Sequence, residues 1–237
     1  RLKEQQEALR QETTSYSQQL QAEIDNHSSK KEDYFHKSSL LGSLEKLRNQ
    51  FEGFHDGVKS LMSQQNGERI PGIREVLVDV LQTPAEYELA IETALGEKLQ
   101  SVIVNNYSDS MEAIGYLKNH HSGRGLFAPL NPKLIPSAPL YTNGTQGIVG
   151  KALSFIECQE EYRPVIDLLL KNVVIVQDMD VALHLHQEPE FHGTVVTLNG
   201  EMIDANGFVT GGSLEDDSSS LLARNREIET LTRSVGS

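Results

Sequence analysis

The sequence has one cysteine, no tryptophan and no long apolar run. The single cysteine, Cys158, excludes an internal disulfide framework and is typical of a reducing compartment. No stretch of about eighteen apolar residues occurs and the first residues are polar, so we expect neither a membrane span nor a secretory signal peptide. Hydrophobic residues still make up 38% of the 237 positions, which is enough to bury a core.

Positive charge is also scarce. The chain has 21 Lys and Arg against 34 Asp and Glu, which gives a formal net charge of -13. Such a surface repels a phosphate backbone on average, so contact with nucleic acid would need a local basic patch.

Signatures of catalysis are missing. The segment Gly144–Lys151 has the lysine of a phosphate-binding loop, but Thr145 stands where that loop needs its first glycine and Ala152 where it needs a hydroxyl. No dinucleotide-binding fingerprint or nucleophile elbow occurs, and the histidines do not have the spacing of metal ligands. We therefore assign no catalytic residue, no metal and no small-molecule substrate. A small α/β nucleotide-binding or hydrolase domain with helical extensions stays as the alternative.

Both ends of the chain have helical periodicity. Apolar residues recur at coiled-coil spacing in the N-terminal part, and the last residues repeat the pattern. The two stripes are Leu40, Leu44, Leu47, Phe51, Phe54 and Val58, and Leu221, Ile228, Leu231 and Val235. An antiparallel coiled coil would let the two stripes bury each other. The alternative is that each helix packs separately on the core.

The middle of the chain predicts an α/β fold with an internal repeat. A helical segment, a β-branched strand and an acidic cap before a second helix occur twice, with strands at Ser101–Val104 and Val173–Val176. The caps are predicted at Ser108–Asp109 and at Asp178–Asp180. The segment Gly123–Gly150 is rich in Gly, Pro, Ser and Asn, and we expect it to bridge two half-domains.

A run of glycines, Gly207–Gly212, follows the predicted strand Thr194–Leu198. Its glycines flank Phe-Val-Thr, so strand propensity is combined with main chain that another backbone could approach. This pattern indicates a contact surface. The segment Gly123–Leu130 could bind an anion through Arg124, but a turn that enters a buried strand is the favoured interpretation.

Together these segments resemble the hinge domain of SMC proteins, above all the bacterial chromosome-condensation type. The resemblance covers about residues 55 to 213 in order, with helical segments on both sides. The matching segments are Gly57–Lys59, Pro71–Ile73, Tyr87–Gly96, Leu99–Val104, Ala113–Ile114, Leu117–Lys118, Gly123–Leu130 and Gly207–Gly212.

The resemblance implies a fold of two pseudo-repeated subdomains with mixed sheets, flanked by an antiparallel coiled coil. The expected boundaries are 1–56 for the N-terminal arm, 57–130 for subdomain I, 131–213 for the linker and subdomain II, and 214–237 for the C-terminal arm. It implies a non-enzymatic module that pairs with a second copy to form a ring or V-shaped complex for chromosome condensation and segregation. ATP and Mg²⁺ would bind to head domains outside this chain. The resemblance implies no cofactor for the chain itself. The expected location is the cytoplasm, at the nucleoid and not at a membrane.

The resemblance also indicates site residues. We expect each copy to offer two edge strands to its partner, with the glycine run at the interface. The family pattern has four glycines, and Asn206 replaces one of them, which we attribute to the tolerance of Asn for left-handed backbone. The predicted dimer interface comprises Gly207, Phe208, Val209, Thr210, Gly211 and Gly212, with Gly123, Arg124 and Gly125. DNA contact near the arms would involve Lys59, Lys98, Arg224 and Arg226.

Overall fold

The structure is a computed structural model that describes residues 1–63, 70–133, 146–212 and 220–236. The chain divides into two compact units. One comprises Arg1–Lys46 with Ile228–Ser237, and the other comprises Leu47–Glu227. The predicted linker residues 134–145 lie outside the described residues.

Eight α-helices and ten strands are present in the described ranges. The helices are α1 (Leu2–Asn49), α2 (Asp56–Met62), α3 (Leu77–Val80), α4 (Glu88–Leu95), α5 (Tyr107–Asn119), α6 (Arg163–Leu170), α7 (Met179–His186) and α8 (Leu221–Gly236). The strands are β1 (Ile73–Val76), β2 (Leu81–Gln82), β3 (Val102–Val104), β4 (Phe127–Pro129), β5 (Ile148–Lys151), β6 (Glu157–Cys158), β7 (Val173–Val176), β8 (Thr194–Thr197), β9 (Met202–Ile203) and β10 (Val209–Thr210). Short 3-10 helices cover Ala85–Tyr87, Gly96–Gln100 and Ala152–Phe155.

Both predicted terminal helices are present, but the N-terminal one ends at Asn49, so Phe51, Phe54 and Val58 of the predicted stripe lie beyond it. Helix α1 has 48 residues and α8 has 16. In the first unit, Ile228 and Leu231 of α8 are buried, and Leu40 and Leu44 of α1 are half-buried. The upstream apolar residues of α1, such as Leu20, remain exposed. Because α8 is a third as long as α1, it can cover only part of the stripe. No helix in the described ranges is both long and apolar enough to cross a membrane.

The second unit contains the internal repeat that the sequence predicts. In the first half, β1 is antiparallel to β3, and β3 is parallel to β4, to which α5 connects it. In the second half, β5 is antiparallel to β7, and β7 is parallel to β8, to which α7 connects it. The second half then adds β9 and β10, so the sheet orders are β1-β3-β4 and β10-β9-β8-β7-β5. The predicted mixed sheets are confirmed.

Equivalent caps begin the two connecting helices. The side chain of Asp178 accepts the N–H of Val181 at 3.0 Å, as predicted. In the first half the cap is Asn106, whose side chain accepts the N–H of Asp109 at 3.1 Å, and not the predicted Ser108–Asp109 pair. Asn and Asp both satisfy an otherwise unpaired N–H of the first turn, so the two halves use the same device.

Two glycines let these helices approach the first strand of each half. A Cβ on Gly72, just before β1, would lie 2.2 Å from the Cγ of Asp109 on α5. A Cβ on Gly147, just before β5, would lie 2.6 Å from a methyl carbon of Val181 on α7. Both glycines have positive φ, of 86° and 95°. Each connecting helix therefore packs closely against the residue that precedes the first strand of its half.

The two halves are joined by strand pairing and by a common core. Strands β2 and β6 pair antiparallel, with Leu81 opposite the half-buried Cys158. Strands β3 and β7 are buried along their whole length, as their β-branched sequences predict. A large cluster fills the space between the halves and a smaller one lies under α7. The smaller cluster contains Val174, Val176, Ala182, Leu185, Phe191, Val195 and Ile203.

Candidate functional site

The glycine run lies at the outer edge of the five-stranded sheet. Its strand, β10, pairs with β9 in the register Val209 to Ile203, and no further strand of the described chain lies beyond it. Phe208 is 74% exposed and Val209 is 64% exposed. Two large apolar side chains therefore accompany an uncovered strand edge, which is a feature of interaction surfaces.

The backbone of β10 presents hydrogen-bonding groups to this free edge. Asp204 donates its N–H to the C=O of Phe208 at 2.9 Å, so the groups of Phe208 point toward β9. In an antiparallel ladder the direction alternates from one residue to the next. The N–H and C=O of Val209 therefore point away from β9, where a second strand could pair with them.

A turn that Asp204 organises sets the position of β10. The Asp204 carboxylate accepts the N–H groups of Asn206 at 2.8 Å and Phe208 at 2.9 Å. These bonds, chiefly the one from Phe208, hold the pKa of Asp204 below its ordinary value. Gly207 has a φ of 88° and donates its N–H to the C=O of Asp204 at 3.0 Å. Sequence reasoning missed Asp204, although an Asp two residues before an Asn-Gly pair is a turn signal.

The explanation that Asn206 replaces a glycine because it adopts a left-handed backbone conformation is wrong. Among the described residues other than glycine, only Phe51 and His121 have positive φ. Gly207 supplies the left-handed turn conformation, and Asn206 contributes its N–H to the Asp204 carboxylate.

The last two glycines of the run leave space beside the edge. A Cβ on Gly212 would meet no atom of the described residues within 4 Å, although the φ of 138° at this glycine disfavours other residues. A Cβ on Gly211 would come within 3.3 Å of the flexible Glu201 side chain, and the backbone of Gly211 has an ordinary φ. The described fold therefore leaves room for a second backbone beside these residues.

The three-stranded sheet has a matching free edge at β4. Val102 donates its N–H to the C=O of Leu126, and Leu130 donates its N–H to the C=O of Val104, both at 2.8 Å. By alternation, the N–H and C=O of Phe127 point away from β3. Pro129 has no N–H to donate, as is typical of edge strands. The sequence interpretation favoured a turn and a buried strand here, and did not single out the free edge.

The residues Gly123, Arg124 and Gly125 lie just before β4 and contact α2. A Cβ on Gly57 of α2 would lie 2.2 Å from the carbonyl oxygen of Arg124. Gly123 has a φ of 83° and lies next to Asp56. The backbone of this segment therefore has a structural role against α2, while the Arg124 side chain stays exposed.

Comparison with known proteins agrees with this arrangement. The family model of the SMC proteins flexible hinge domain matches residues 70–186. A solved SMC hinge domain from Geobacillus stearothermophilus is 30% identical, with a TM-score of 0.76, and the match covers 87% of this chain and 83% of that one. The chain belongs to the SMC hinge family.

The curated relatives of this SMC hinge are much longer proteins, and the hinge matches one part of each. The chromosome partition protein Smc of Halothermothrix orenii is 34% identical over 202 residues, which is 84% of this chain but 17% of that protein. The hinge domain of Pyrococcus furiosus Smc, solved with an extended coiled coil, is 27% identical with a TM-score of 0.57, and the match covers 88% of this chain and 75% of that one. The hinge therefore spans about a sixth of the length of the curated relatives it matches.

The first turns of α8 are anchored on the body of the SMC hinge by polar contacts. Glu92 of α4 accepts the N–H of Leu222 at 3.0 Å, and so caps α8 from another element. Arg226 donates to the buried Glu88 at 2.6 Å, and Arg224 donates to the backbone C=O of Glu52 at 2.8 Å. Sequence reasoning did not find these contact partners, because each is more than a hundred residues from its contact.

Two of the four predicted DNA-binding cations take part in these internal contacts. Arg226 pairs with Glu88. Arg224 lies 5.7 Å from the Phe54 ring centroid and also donates to the backbone C=O of Glu52. Lys59 is 4.0 Å from Glu52, and Lys98 is exposed. The four cations thus have different surroundings. DNA contact by Lys59, Lys98, Arg224 and Arg226 stays a prediction. In the residues described, no three His, Cys, Asp or Glu side chains are grouped to hold a metal ion.

Replacing Glu92 tests the anchoring of α8. Burial raises the pKa of the Glu92 carboxyl above its ordinary value, and the N–H of Leu222 opposes the shift. We expect Glu92→Gln, which keeps a carbonyl acceptor without the charge, to be neutral or stabilising at pH 7. Glu92→Ala should cost about 1 kcal/mol, because the Leu222 N–H loses its acceptor.

The pH dependence supplies a second check. A carboxyl with a raised pKa in the folded state binds protons more readily when folded, so the wild type gains stability as pH falls through that pKa. We expect the stability of the wild type relative to Glu92→Gln to rise between pH 7 and about pH 4.5, measured by urea denaturation. A difference that stays constant across this range would contradict the burial of a charged Glu92.

Proposed function

We propose that this SMC hinge joins two copies of itself through the free edges of β4 and β10, as the dimerisation module of a longer chromosome partition protein. The observation that carries the proposal is the exposed edge of β10, where the Val209 N–H and C=O point outward beside two exposed apolar side chains. Main-chain hydrogen bonds of this kind supply affinity in strand addition. The related Geobacillus stearothermophilus hinge domain was solved as an asymmetric dimer, which supports the pairing of two copies here.

Two edges in each copy allow two contacts in one dimer. When β10 of one copy adds to β4 of the second, twofold symmetry brings the other β4 and β10 together as well. Formation of the first contact raises the effective concentration for the second. Opening one contact would then leave the two copies attached, which suits a ring that opens and closes.

The role of the module follows from its relatives and its composition. The relatives are chromosome partition proteins, so we place the parent protein at the nucleoid in the cytoplasm, with ATP and Mg²⁺ bound by head domains of that parent. The hinge itself would act by association and not by catalysis. Any DNA contact would be weak and would depend steeply on salt, because a few cations would contact phosphates, and the net charge of -13 would oppose it.

Sedimentation equilibrium of the chain and of a Gly211→Val variant tests the proposal. We expect the wild-type mass to rise with concentration from 26.4 kDa toward twice that value. The variant should remain closer to the monomer mass, because a β-branched side chain at Gly211 would obstruct the approaching strand while displacing only Glu201 within the chain.

A Gly42→Val variant is the matched control, since a Cβ at Gly42 meets no atom of the described chain within 4 Å. Gly42 is in α1, far along the chain from either edge. This variant should sediment as the wild type does. A wild type that stays at the monomer mass at all concentrations would refute dimerisation. A Gly211→Val dimer of wild-type affinity would place the interface elsewhere.

A further inference from the structure

We infer that, in the dimer proposed above, α5 of one copy packs beside α7 of the second copy over an antiparallel pairing of β4 with β10. Tyr107 and Met111 of one copy would then meet Leu183 and Val209 of the other. The inference rests on the proposed dimerisation and adds a side-chain interface to the backbone contact. Four exposed apolar side chains motivate it: Tyr107 is 60% exposed, Met111 67%, Leu183 48% and Val209 64%.

Helix geometry places Met111 on the side of α5 that faces the free edge of β4. Residues Ser110, Ala113 and Leu117 of α5 are buried and define its inner face. Asp109 lies against Gly72, on the β1 side. Successive residues of a helix are about 100° apart, so Met111 lies on the opposite flank from Asp109. Tyr107 is four residues earlier and shares that flank.

The equivalent flank of α7 faces the free edge of β10. Val181 lies against Gly147, on the β5 side, just as Asp109 lies against Gly72 in the first half. Leu183 is two residues further and lies on the opposite flank. The Nε2 of His186, on the same flank, lies 3.6 Å from the Cβ position of Gly207 in the turn before β10. Both helices therefore direct exposed apolar residues toward the edge at which the sheet is incomplete.

The two edge strands present matching faces. Phe127 and Leu117 both lie within 3.5 Å of the Cβ position of Gly125, which puts the Phe127 side chain on the α5 face of its sheet. Val209 is opposite Ile203, which is buried with Leu185 of α7, so Val209 is on the α7 face. Each residue whose backbone groups point to the free edge thus carries its side chain on the helix-covered face.

This match favours antiparallel pairing. If Phe127 and Val209 are opposite each other in an antiparallel ladder, they exchange two hydrogen bonds and their side chains share one face. The same register puts Gly125 opposite Gly211, where two backbones without Cβ atoms meet. In a parallel ladder each outward residue is opposite an inward one, so Phe127 and Val209 would lie on different faces and the helices on opposite sides of the sheet.

The expected spacing fits one layer of side chains between the helices. Helix α5 covers β3 and β4, and α7 covers mainly β8 and β9. Across the joined order β3-β4-β10-β9-β8, the helix axes would be three strand spacings, or roughly 14 Å, apart. A helix with its side chains is about 10 to 12 Å wide, which leaves a channel floored by Phe127 and Val209. Tyr107, Met111 and Leu183 are on the walls of that channel and would fill it.

A charge-pair exchange tests this interface by sedimentation equilibrium of the full chain. We expect Met111→Glu and Leu183→Lys each to weaken the dimer about tenfold or more, because each puts a charge into an apolar contact that occurs twice per dimer. The double variant should return to within about threefold of wild type, because the acid of one copy would then pair with the lysine of the other.

A Ser108→Glu variant is the matched control, because it adds the same charge to α5 at an exposed position on the pole opposite the inner face. It should leave the dimer unchanged, and all variants should keep the wild-type circular dichroism. If the single variants dimerise as the wild type does, or the double variant is weaker than both, the helix contact is refuted while strand addition stands. If the wild type itself is monomeric, the dimer proposal fails first.

Discussion

Gly57→Ala is expected to lower the free energy of unfolding of the unit Leu47–Glu227 by about 3 kcal/mol. A Cβ at this position would lie 2.2 Å from the carbonyl oxygen and 2.5 Å from the carbonyl carbon of Arg124. Both are backbone atoms, so no rotation of a side chain relieves the overlap. Either α2 or the segment before β4 must move, and Val58 and Leu61 of α2 are buried in the core.

The matched control is Gly115→Ala in α5, where a Cβ meets none of the described atoms within 4 Å. This change should stabilise the unit by about 0.5 to 1 kcal/mol, because alanine is the better helix former. Urea denaturation of both variants, followed by circular dichroism, gives the comparison. If Gly57→Ala were as stable as Gly115→Ala, the close packing of α2 on Arg124 would be refuted.

Val209→Pro is expected to weaken the dimer about 100-fold. The Val209 N–H points away from β9, so proline removes a donor for which the described part of one copy shows no acceptor. In the proposed dimer that donor is used at both contacts, and each lost hydrogen bond contributes about 1 to 1.5 kcal/mol. The sum is about 3 kcal/mol, which corresponds to about 100-fold in the dissociation constant.

Val209→Ile serves as the control, because it keeps the N–H and an apolar, β-branched side chain. We expect its dissociation constant to match the wild type within a few-fold. Analytical ultracentrifugation over a range of concentrations measures both, and thermal unfolding of Val209→Pro checks that the single copy still folds. A proline variant with unchanged self-association would show that the edge of β10 does not carry the dimer.

Local structure followed closely from local sequence. The strands Val102–Val104 and Val173–Val176 are buried as their β-branched runs predict, and Asp178 caps α7 as predicted. These features depend on interactions within a few residues, so the sequence pattern contains their signal. The displaced cap at Asn106 is a small exception, because Asn and Asp are equivalent acceptors at a helix start.

The candidate site was predicted only in part. The glycine run indicated an exposed strand, and the structure places Val209 and Thr210 at a sheet edge. The second edge, at β4, was missed, because whether a strand is central or at an edge depends on how many strands pair with it. The backbone acceptor of Arg224 and the acidic partner of Arg226 were missed for a similar reason: they come from residues distant in the chain.

The periodicities, the repeated helix-strand-helix order, the scarcity of catalytic motifs and the glycines that resemble an SMC hinge can all be read from the order of residues. Only the folded chain shows which strands are left at the edges, which backbone groups point outward and which flanks of α5 and α7 stay uncovered. Secondary structure and capping depend on neighbours in sequence, whereas exposure, register and charge pairing depend on neighbours in space. Val209 illustrates both, because its β-branched side chain predicts a strand and only the sheet order makes that strand a surface for a second copy.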